Sequence, residues 1–201
     1  VLVVDGIETK QYDDVGTPIF SPDSKRLAYT AEVGNMAFVV VDGIEGKHYG
    51  ATHIITFSAD SKRLAYKAWK GPKVFVVVDG LEGKQYDGTG EPIFSPNSKR
   101  IAYVALEGKA VKAYKNLVVV DSIEGKRYDE IYDLTFSPDS KRVAYRAKEG
   151  NKWVLVVDGI ETKQYDDVGT PVFSPDSRRL AHKARAGNKW LVVVDGAETK
   201  Q

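Results

Sequence analysis

Histidine is the residue type in this sequence best suited to acid–base chemistry, and the chain has three histidines and no cysteine. The lack of cysteine excludes disulfides, thiolate metal ligands and cysteine nucleophiles. His182 falls at the position of a repeated tyrosine and is expected in the core, and His48 falls on an outer strand. His53 replaces a glycine and is the one histidine placed for chemistry, yet it has no partner at a spacing typical of a triad or a metal site. We therefore predict no catalytic residue and a protein that is not an enzyme.

Acidic residues recur just before the first predicted strand in four of the five repeats. They are Asp13, Asp14, Asp87, Asp129, Glu130, Asp166 and Asp167. Calcium needs about six to eight oxygen ligands in a compact site, and acids spread over separate repeats cannot be shown from the sequence to converge on one ion. We interpret these acids as solvated loop residues and turn formers, and we predict neither a metal nor a cofactor.

The three tryptophans are candidate anchors for a ligand, because aromatic side chains often dominate binding energies. Trp153 and Trp190 occupy the same position in successive repeats, just before the third predicted strand, and Trp69 lies in an outer loop. Such a pair could grip a peptide or a sugar ring. The alternative is that these rings only cover the end of a sheet.

The candidate residues belong to a chain of 201 residues that is built from one repeated unit. The aspartate of Val-Val-Asp recurs at intervals of 37, 37, 42, 37 and 37 residues, and five copies of Phe-Ser-Pro-Asp-Ser, two of them slightly changed, keep the same spacing. A tyrosine stands seven residues after each of the first five aspartates, and we predict that it packs between neighbouring units. These tyrosines are Tyr12, Tyr49, Tyr86, Tyr128 and Tyr165.

Each unit reads as four short strands, for example residues 18–20, 27–29 and 38–41 and a last strand that ends at Tyr49. β-Branched and aromatic residues dominate these runs, and Ser-Pro-Asp-Ser and Asp-Gly turns separate them. The third strand is apolar without alternation, which predicts burial on both faces. Sheets stacked as propeller blades bury strands in this way, whereas β-solenoid repeats are usually shorter. The predicted fold is all-β, a β-propeller of about five four-stranded blades.

We assign residues 1–201 to a single propeller domain with units at about 13–49, 50–86, 87–128, 129–165 and 166–201. Because the outer hairpin occurs six times and the inner hairpin five times, residues 1–12 form an extra outer two-stranded hairpin, or half-blade.

The two terminal segments compete for the outer place in the last blade, since residues 1–11 and 191–201 match at eight of eleven positions. The C-terminal segment is tethered by a short loop, so its effective concentration favours it. We expect the hairpin that is left over to promote self-association.

The sequence of residues 20–29, Phe-Ser-Pro-Asp-Ser-Lys-Arg-Leu-Ala-Tyr, resembles the repeat of TolB-like β-propellers, which are relatives of the WD-repeat propellers. Five copies cover nearly the whole chain. The resemblance implies an antiparallel blade whose first strand lines a central channel, and a bacterial protein of the periplasm or the extracellular space. Some members of the family carry a propeller beside a hydrolase domain, but this sequence contains no Gly-x-Ser-x-Gly motif.

Charge gives no indication of a polyanionic partner, because the net charge is only +1 and the basic and acidic residues of the repeated turns cancel. Nucleic-acid binding would need a basic excess beside exposed stacking aromatics. No run approaches the roughly 18 apolar residues of a membrane span. We predict neither nucleic-acid binding nor membrane insertion.

The loops at the opposite end of the predicted blades vary between units, as a binding surface on a rigid scaffold would, although loops under no selection would vary as well. We predict a non-catalytic scaffold that binds a protein or peptide through this face. The alternative is a structural propeller that oligomerises through its spare terminal half-blade. The candidate binding residues are Asp14, His53, Trp69, Asp87, Glu130, Trp153, Asp167 and Trp190.

Overall fold

The computed structural model describes residues 3–4, 6–8, 10–108 and 114–199. These ranges form strands and turns without a helix, so nothing in them could cross a membrane as an apolar helix. The chain divides into two compact units, Val1–Pro92 and Ile93–Gln201. Most of the insertion in the third repeat, residues 109–113, lies outside the described residues. The assignment of residues 1–201 to one domain stays a prediction.

The first unit contains a short hairpin, two sheets that we call blades 1 and 2, and a final strand. The hairpin consists of β1 (Val3–Val4) and β2 (Ile7–Glu8). Blade 1 consists of β3 (Asp14–Val15), β4 (Ile19–Phe20), β5 (Leu27–Val33), β6 (Met36–Val41) and β7 (Ile44–Glu45). Blade 2 consists of β8 (Ala51–Phe57), β9 (Leu64–Lys70), β10 (Lys73–Val78) and β11 (Leu81–Glu82), and β12 (Gly88–Thr89) follows it.

The second unit contains blades 3, 4 and 5. Blade 3 consists of β13 (Ile93–Phe94), β14 (Ile101–Glu107), β15 (Lys115–Val120) and β16 (Ile123–Tyr128). Blade 4 consists of β17 (Glu130–Phe136), β18 (Val143–Glu149), β19 (Lys152–Val157) and β20 (Ile160–Glu161). Blade 5 consists of β21 (Asp167–Val168), β22 (Val172–Phe173), β23 (Leu180–Ala186), β24 (Lys189–Val194) and β25 (Ala197–Glu198).

Every blade is an antiparallel sheet in which the first strand, or each of its two parts, pairs with the second strand, the second with the third and the third with the fourth. The five blades confirm the predicted all-β repeat architecture, and the second and third strands are longer than the sequence pattern indicated. In blades 1 to 4 the unalternating third strand is buried on both faces as predicted; for example, Val154, Leu155 and Val156 in β19 are consecutive core residues. In blade 5 the third strand is more exposed, and Val192 in β24 is 47% exposed.

The outer hairpin of each blade closes through a two-residue turn that begins with the repeated aspartate. In blade 4, Asp158 and Gly159 have φ values of 53° and 80°. This left-handed pair matches the twist of the flanking strands, and it is tolerated by Asp and free of strain for Gly. The Asp158 carboxylate accepts hydrogen bonds from the Val143 N–H at 2.8 Å and from Arg142 Nε at 3.2 Å, which ties the turn to the second strand.

Successive blades stack through contacts that recur with the repeat, as blades 4 and 5 show. The Asp139 N–H donates to Ser177 Oγ at 2.9 Å, and the Arg142 guanidinium lies 5.4 Å from the centre of the Phe173 ring. At the outer edge the Tyr165 hydroxyl donates to Glu198 at 3.0 Å. Four of the five repeated tyrosines are fully buried, which confirms their role in packing: Tyr49, Tyr86, Tyr128 and Tyr165.

The first strand takes two forms. In blades 1 and 5 it is split into two short strands, because Pro18 and Pro171 interrupt it and proline has no N–H to donate. In blades 2 and 4 it runs unbroken for seven residues, with a bulge after His53 in β8 and after Tyr132 in β17. The second form places a large side chain where other repeats have glycine.

The two similar terminal segments take different places in the structure. In blade 5, β24 pairs with β23, so the C-terminal segment fills the outer place, as predicted. β1 and β2 form a two-stranded sheet, with no third strand among the described residues. The predicted extra hairpin is therefore present.

Candidate binding surface

Each blade has two ends that we treat separately. The turn end carries the Ser-Pro-Asp-Ser and Asp-Gly turns. The loop end carries the start of the first strand, the hairpin between the second and third strands, and the repeated tyrosine. All eight candidate binding residues from the sequence lie at loop ends.

Blade 4 carries a compact cluster of Tyr132, Arg146 and Trp153 at its loop end. The two rings lie 6.0 Å apart at 37°, and the Arg146 guanidinium lies 5.2 Å from the centre of each ring. A guanidinium at this distance is attracted by the electron-rich faces of the rings. The Tyr132 side chain remains 48% exposed, so the cluster is ordered by internal contacts and is still accessible.

The blade 4 cluster is positioned by strand register. Tyr132 in β17 stands opposite Arg146 in β18, and Trp153 stands opposite Lys148. The bulge after Tyr132 brings Asp133 to a φ of 55°, and its carboxylate pairs with Arg146 Nε at 2.6 Å. The guanidinium is therefore held in place from one side by a carboxylate and from the other by two rings.

Lys148 completes the cluster. It pairs with Glu130 at 2.7 Å and lies 5.6 Å from the centre of the Trp153 ring. The hydrogen bond to the Glu130 carboxylate raises the pKa of Lys148. Both cations of the cluster are thus compensated by acids of the same blade.

Blade 2 carries a related cluster. His53 stands opposite Lys67, and the Lys67 ammonium lies 5.3 Å from the centre of the Trp69 ring while donating to the Thr89 carbonyl at 2.6 Å. Burial lowers the pKa of Lys67. An open cavity of about 450 Å³ lies beside exposed His53, and its lining consists of Gly50, Ala51, Thr52, His53, Trp69 and Gly71.

Blade 5 has cations and a tryptophan but no large residue on the first strand. The Trp190 ring, which is half exposed, lies 5.0 Å from the Lys183 ammonium and 5.9 Å from the Arg185 guanidinium. Gly169 occupies the position of Tyr132, and a Cβ there would come within 2.5 Å of the Lys183 side chain. The glycine leaves room for that side chain to reach Trp190.

Most of the acidic candidates form contacts within the protein. Asp87 forms an ion pair with Lys73, and Glu130 is paired with Lys148. Asp167 lies opposite Arg185 in the β21–β23 ladder, and Asp14 is exposed in β3. No group of three or more possible metal ligands occurs in the described parts of the chain.

The remaining histidines lie where the sequence placed them. His182 is a core residue at 4% exposure, with its ring edge-to-face on Tyr165, and burial lowers its pKa. His48 lies on the outer edge of blade 1, where it stacks on Phe38 with ring centres 4.3 Å apart.

The structure brings some predicted site residues together and adds others. It joins His53 with Trp69, and Glu130 with Trp153. Sequence reasoning missed Tyr132 and its partner Arg146, as well as the lysines Lys67 and Lys183. Tyr132 was detectable, because it replaces the glycine found at the same position in three other repeats. The cations become visible only once the strand register is known.

At the turn end, each blade repeats one ion pair between the arginine that precedes the second strand and the aspartate of the Asp-Gly turn. The distances lie between 2.8 and 3.2 Å, in the pairs Arg26–Asp42, Arg63–Asp79, Arg100–Asp121, Arg142–Asp158 and Arg179–Asp195. Each of these arginines is therefore compensated by an acid of its own blade.

No known protein family matches the chain, and no curated protein matches it. Among solved structures the chain is similar to TolB from Acinetobacter baumannii, at 17% identity over 94% of this chain and 55% of TolB, with a TM-score of 0.44. It is similar to the β-propeller domain of the trilobed protease from Pyrococcus furiosus, at 13% identity over 92% of this chain and 68% of that one, with a TM-score of 0.47. It is also similar to an acylaminoacyl peptidase bound to a chloromethyl ketone, at 13% identity over 92% of this chain and 38% of the peptidase, with a TM-score of 0.50.

The chain thus spans about half the length of TolB and well under half of the peptidase. At these identities the likeness concerns the fold alone. The five antiparallel blades, with no helix in the described residues, confirm the β-propeller fold that the repeat predicted.

Proposed function

We propose that this chain is a non-catalytic scaffold that binds a protein or peptide at the loop ends of its blades, with Tyr132, Arg146 and Trp153 as the principal contact. The observation that carries the proposal is the exposed Tyr132 ring held beside Trp153 by a shared guanidinium. Tyr, Trp and Arg are the residue types that most often dominate protein interfaces.

The order of the cluster favours binding. Arg146 forms an ion pair with Asp133. Tyr132 in β17 and Trp153 in β19 lie on the two strands that pair with β18 from either side. Little side-chain freedom is left to lose when a partner docks, and lost freedom is one of the main costs of association. A rigid aromatic surface of this kind suits a partner that contributes a large apolar side chain.

The charge balance of the cluster indicates the class of partner. Arg146 and Lys148 are each paired with an acid of blade 4, so the cluster offers no surplus charge to a polyanion. A peptide segment bound mainly through apolar contact is the expected partner, and its affinity should change little with salt. The proposed location, the periplasm or the extracellular space, rests on the repeat resemblance alone.

The proposal is tested by selecting short random peptides on the immobilised chain. The affinity of the enriched peptides is then measured for the wild-type chain and for variants. Tyr132→Ala and Trp153→Ala should each weaken binding by about tenfold or more. Ile160→Ala is the matched control, because Ile160 is exposed in the same blade but at the turn end. Failure to enrich any peptide, or equal binding to all three variants, would contradict the proposal.

A further inference from the structure

A cavity of about 410 Å³ lies between blades 4 and 5 at their turn ends. Blade 4 contributes Leu155 and Thr162 to its lining, and blade 5 contributes Arg178 and His182. All lining residues belong to the unit Ile93–Gln201, so the cavity is formed within one compact unit. Its volume falls in the range of about 300–1,000 Å³ that is typical of pockets for small molecules.

His182 provides a buried polar side chain to the lining. It is 4% exposed, and neither ring nitrogen has a hydrogen-bond partner among the described residues. Burial lowers the pKa of His182, so the ring is neutral at pH 7 and offers one donor and one acceptor. A buried polar group without a partner is unfavourable. A ligand that forms a hydrogen bond with one of these nitrogens therefore gains affinity.

Arg178 provides a positive charge that no acid of the lining compensates. Of the two acids there, Asp158 is paired with Arg142 at 3.2 Å. The other, Asp195, is paired with Arg179 at 3.0 Å. The Arg178 guanidinium forms no ion pair with any residue that the structure describes. Because a guanidinium binds a carboxylate through two parallel N–H donors, the cavity suits a ligand with a carboxylate.

An equivalent cavity of about 430 Å³ lies between blades 3 and 4, and its lining differs at three positions that matter here. Lysine stands at the position of Arg178 in each of the other four repeats, and tyrosine at the position of His182. Thr162 replaces the glycine of blades 1 to 3. The equivalent residues between blades 3 and 4 are Lys141, Tyr145 and Gly125. Three departures from the repeat therefore meet in one cavity.

The exchange of tyrosine for histidine changes the buried polar group of the cavity. Between blades 3 and 4, the Tyr145 hydroxyl lies 3.6 Å from the position that a Cβ on Gly125 would take. The His182 imidazole is shorter than a phenol and carries no hydroxyl. A phenol on a ligand therefore resembles the group that the other repeats place here, with the imidazole as its hydrogen-bond partner.

We propose that the cavity between blades 4 and 5 binds a small aromatic carboxylate that carries a phenolic hydroxyl. The carboxylate pairs with Arg178, the hydroxyl forms a hydrogen bond with His182, and the ring packs on apolar side chains of the lining such as Leu155 and Leu180. This site goes beyond the proposed peptide contact, because it lies at the turn end of blade 4 and the Tyr132 cluster lies at the loop end.

The first test compares three ligands by isothermal titration calorimetry. The probe is 4-hydroxyphenylacetate, which should bind the wild-type chain saturably. Phenylacetate lacks the hydroxyl and 4-methylphenol lacks the carboxylate. Each should bind about tenfold or more weakly than the probe, because a site built around a polar group rejects an analogue that leaves this group unpaired. Absence of saturable binding of the probe, or equal affinity for all three compounds, overturns the proposal.

The second test uses variants that restore residues of the other repeats and are therefore expected to fold. Arg178→Lys and His182→Tyr should each weaken binding of the probe by about tenfold or more, since lysine lacks the planar fork and tyrosine occupies the place of the ligand's phenol. Lys141→Ala is the matched control, because it changes the equivalent of Arg178 in the cavity between blades 3 and 4. Unchanged affinity in Arg178→Lys and His182→Tyr, or the same loss in all three variants, contradicts the proposed site.

The third test locates the ligand through the imidazole signals in NMR spectra. The chain has three histidines, and the signals of His182 are identified by their loss in His182→Tyr. Saturation with 4-hydroxyphenylacetate should shift the His182 signals. His48 and His53 do not line the cavity, so their signals should stay in place. Shifts at either of these histidines without a shift at His182 reject the site.

Discussion

The turn end and the loop end of the blades contain the same kinds of residue and use them differently. At the turn end, the arginine–aspartate pair and the serine that bridges to the next blade recur with little change. At the loop end, the first-strand position held by glycine in three repeats carries His53 in one blade and Tyr132 in another. Residues that recur in every repeat make the contacts within and between blades. Residues that differ between repeats form the exposed clusters.

One departure from the repeat does not follow this division. His182 replaces a tyrosine, but it is buried between blades 4 and 5 and neither ring nitrogen has a hydrogen-bond partner among the described residues. A change of residue within the repeat therefore indicates a contact for a protein or peptide partner only when the side chain also reaches the surface, as that of Tyr132 does.

The largest expected effect is a difference in unfolding free energy between variants of two tyrosines that lie four residues apart. Tyr128 is fully buried and donates to Glu161 at 2.7 Å, so Tyr128→Ala should lower the free energy of unfolding by about 3 kcal/mol. Tyr132→Ala should lower it by less than about 1 kcal/mol, since the ring is half exposed. Urea denaturation measures both. Similar losses in the two variants would remove the distinction between packing and binding residues.

A conservative change isolates the polar part of that contact. Tyr128→Phe keeps the ring and removes the hydroxyl, which should leave a loss of about 1 kcal/mol from the hydrogen bond to Glu161. If Tyr128→Phe were as unstable as Tyr128→Ala, the hydroxyl and not ring packing would carry the interface.

An intermediate effect is expected at the turn end. Asp158→Ala removes the acceptor of two hydrogen bonds and places alanine at a φ of 53°, so it should cost about 1–2 kcal/mol of unfolding free energy. Asp158→Asn should cost less, because an amide oxygen can still accept and Asn tolerates this backbone conformation. Equal losses for the two variants would mean that charge alone matters there.

The smallest expected effect is a pH dependence that comes from His182. Burial holds the folded-state pKa of His182 below the ordinary value of 6.5 for histidine, so the unfolded chain takes up the proton first as the pH falls. Its stabilising contribution is therefore complete above pH 6.5 and is lost as the pH falls towards the folded-state pKa. The charged residues that line the cavity beside His182 are Arg142, Asp158, Arg178 and Asp195.

This dependence is checked by comparing denaturation midpoints at mildly acidic and neutral pH. His182→Phe should reduce the loss of stability on acidification, and His53→Ala, which changes an exposed histidine, should keep the wild-type slope. An unchanged slope in His182→Phe would show that the buried ring does not govern it.

The sequence predicted the repeat architecture well because the signals that specify it are local. Asp-Gly turns and an unalternating third strand such as Val76–Val77–Val78 define hairpins without reference to distant residues. The candidate site was predicted only in part. The contact of Tyr132 with Arg146 depends on cross-strand register and on a bulge, and a shift of one residue would turn these side chains to opposite faces.

The spacing of the contacts between blades bears on how such a chain arises. Blade 4 meets blade 5 through residues 33, 35 and 38 positions apart, in the pairs Tyr165–Glu198, Lys163–Glu198 and Asp139–Ser177. These separations match the 37-residue period, and contacts in repeat proteins are confined to neighbours. In-frame copying of one period within the gene would therefore recreate every interface at once, with no compensating mutation. The identity of residues 1–18 with residues 154–171 is what such copying leaves behind.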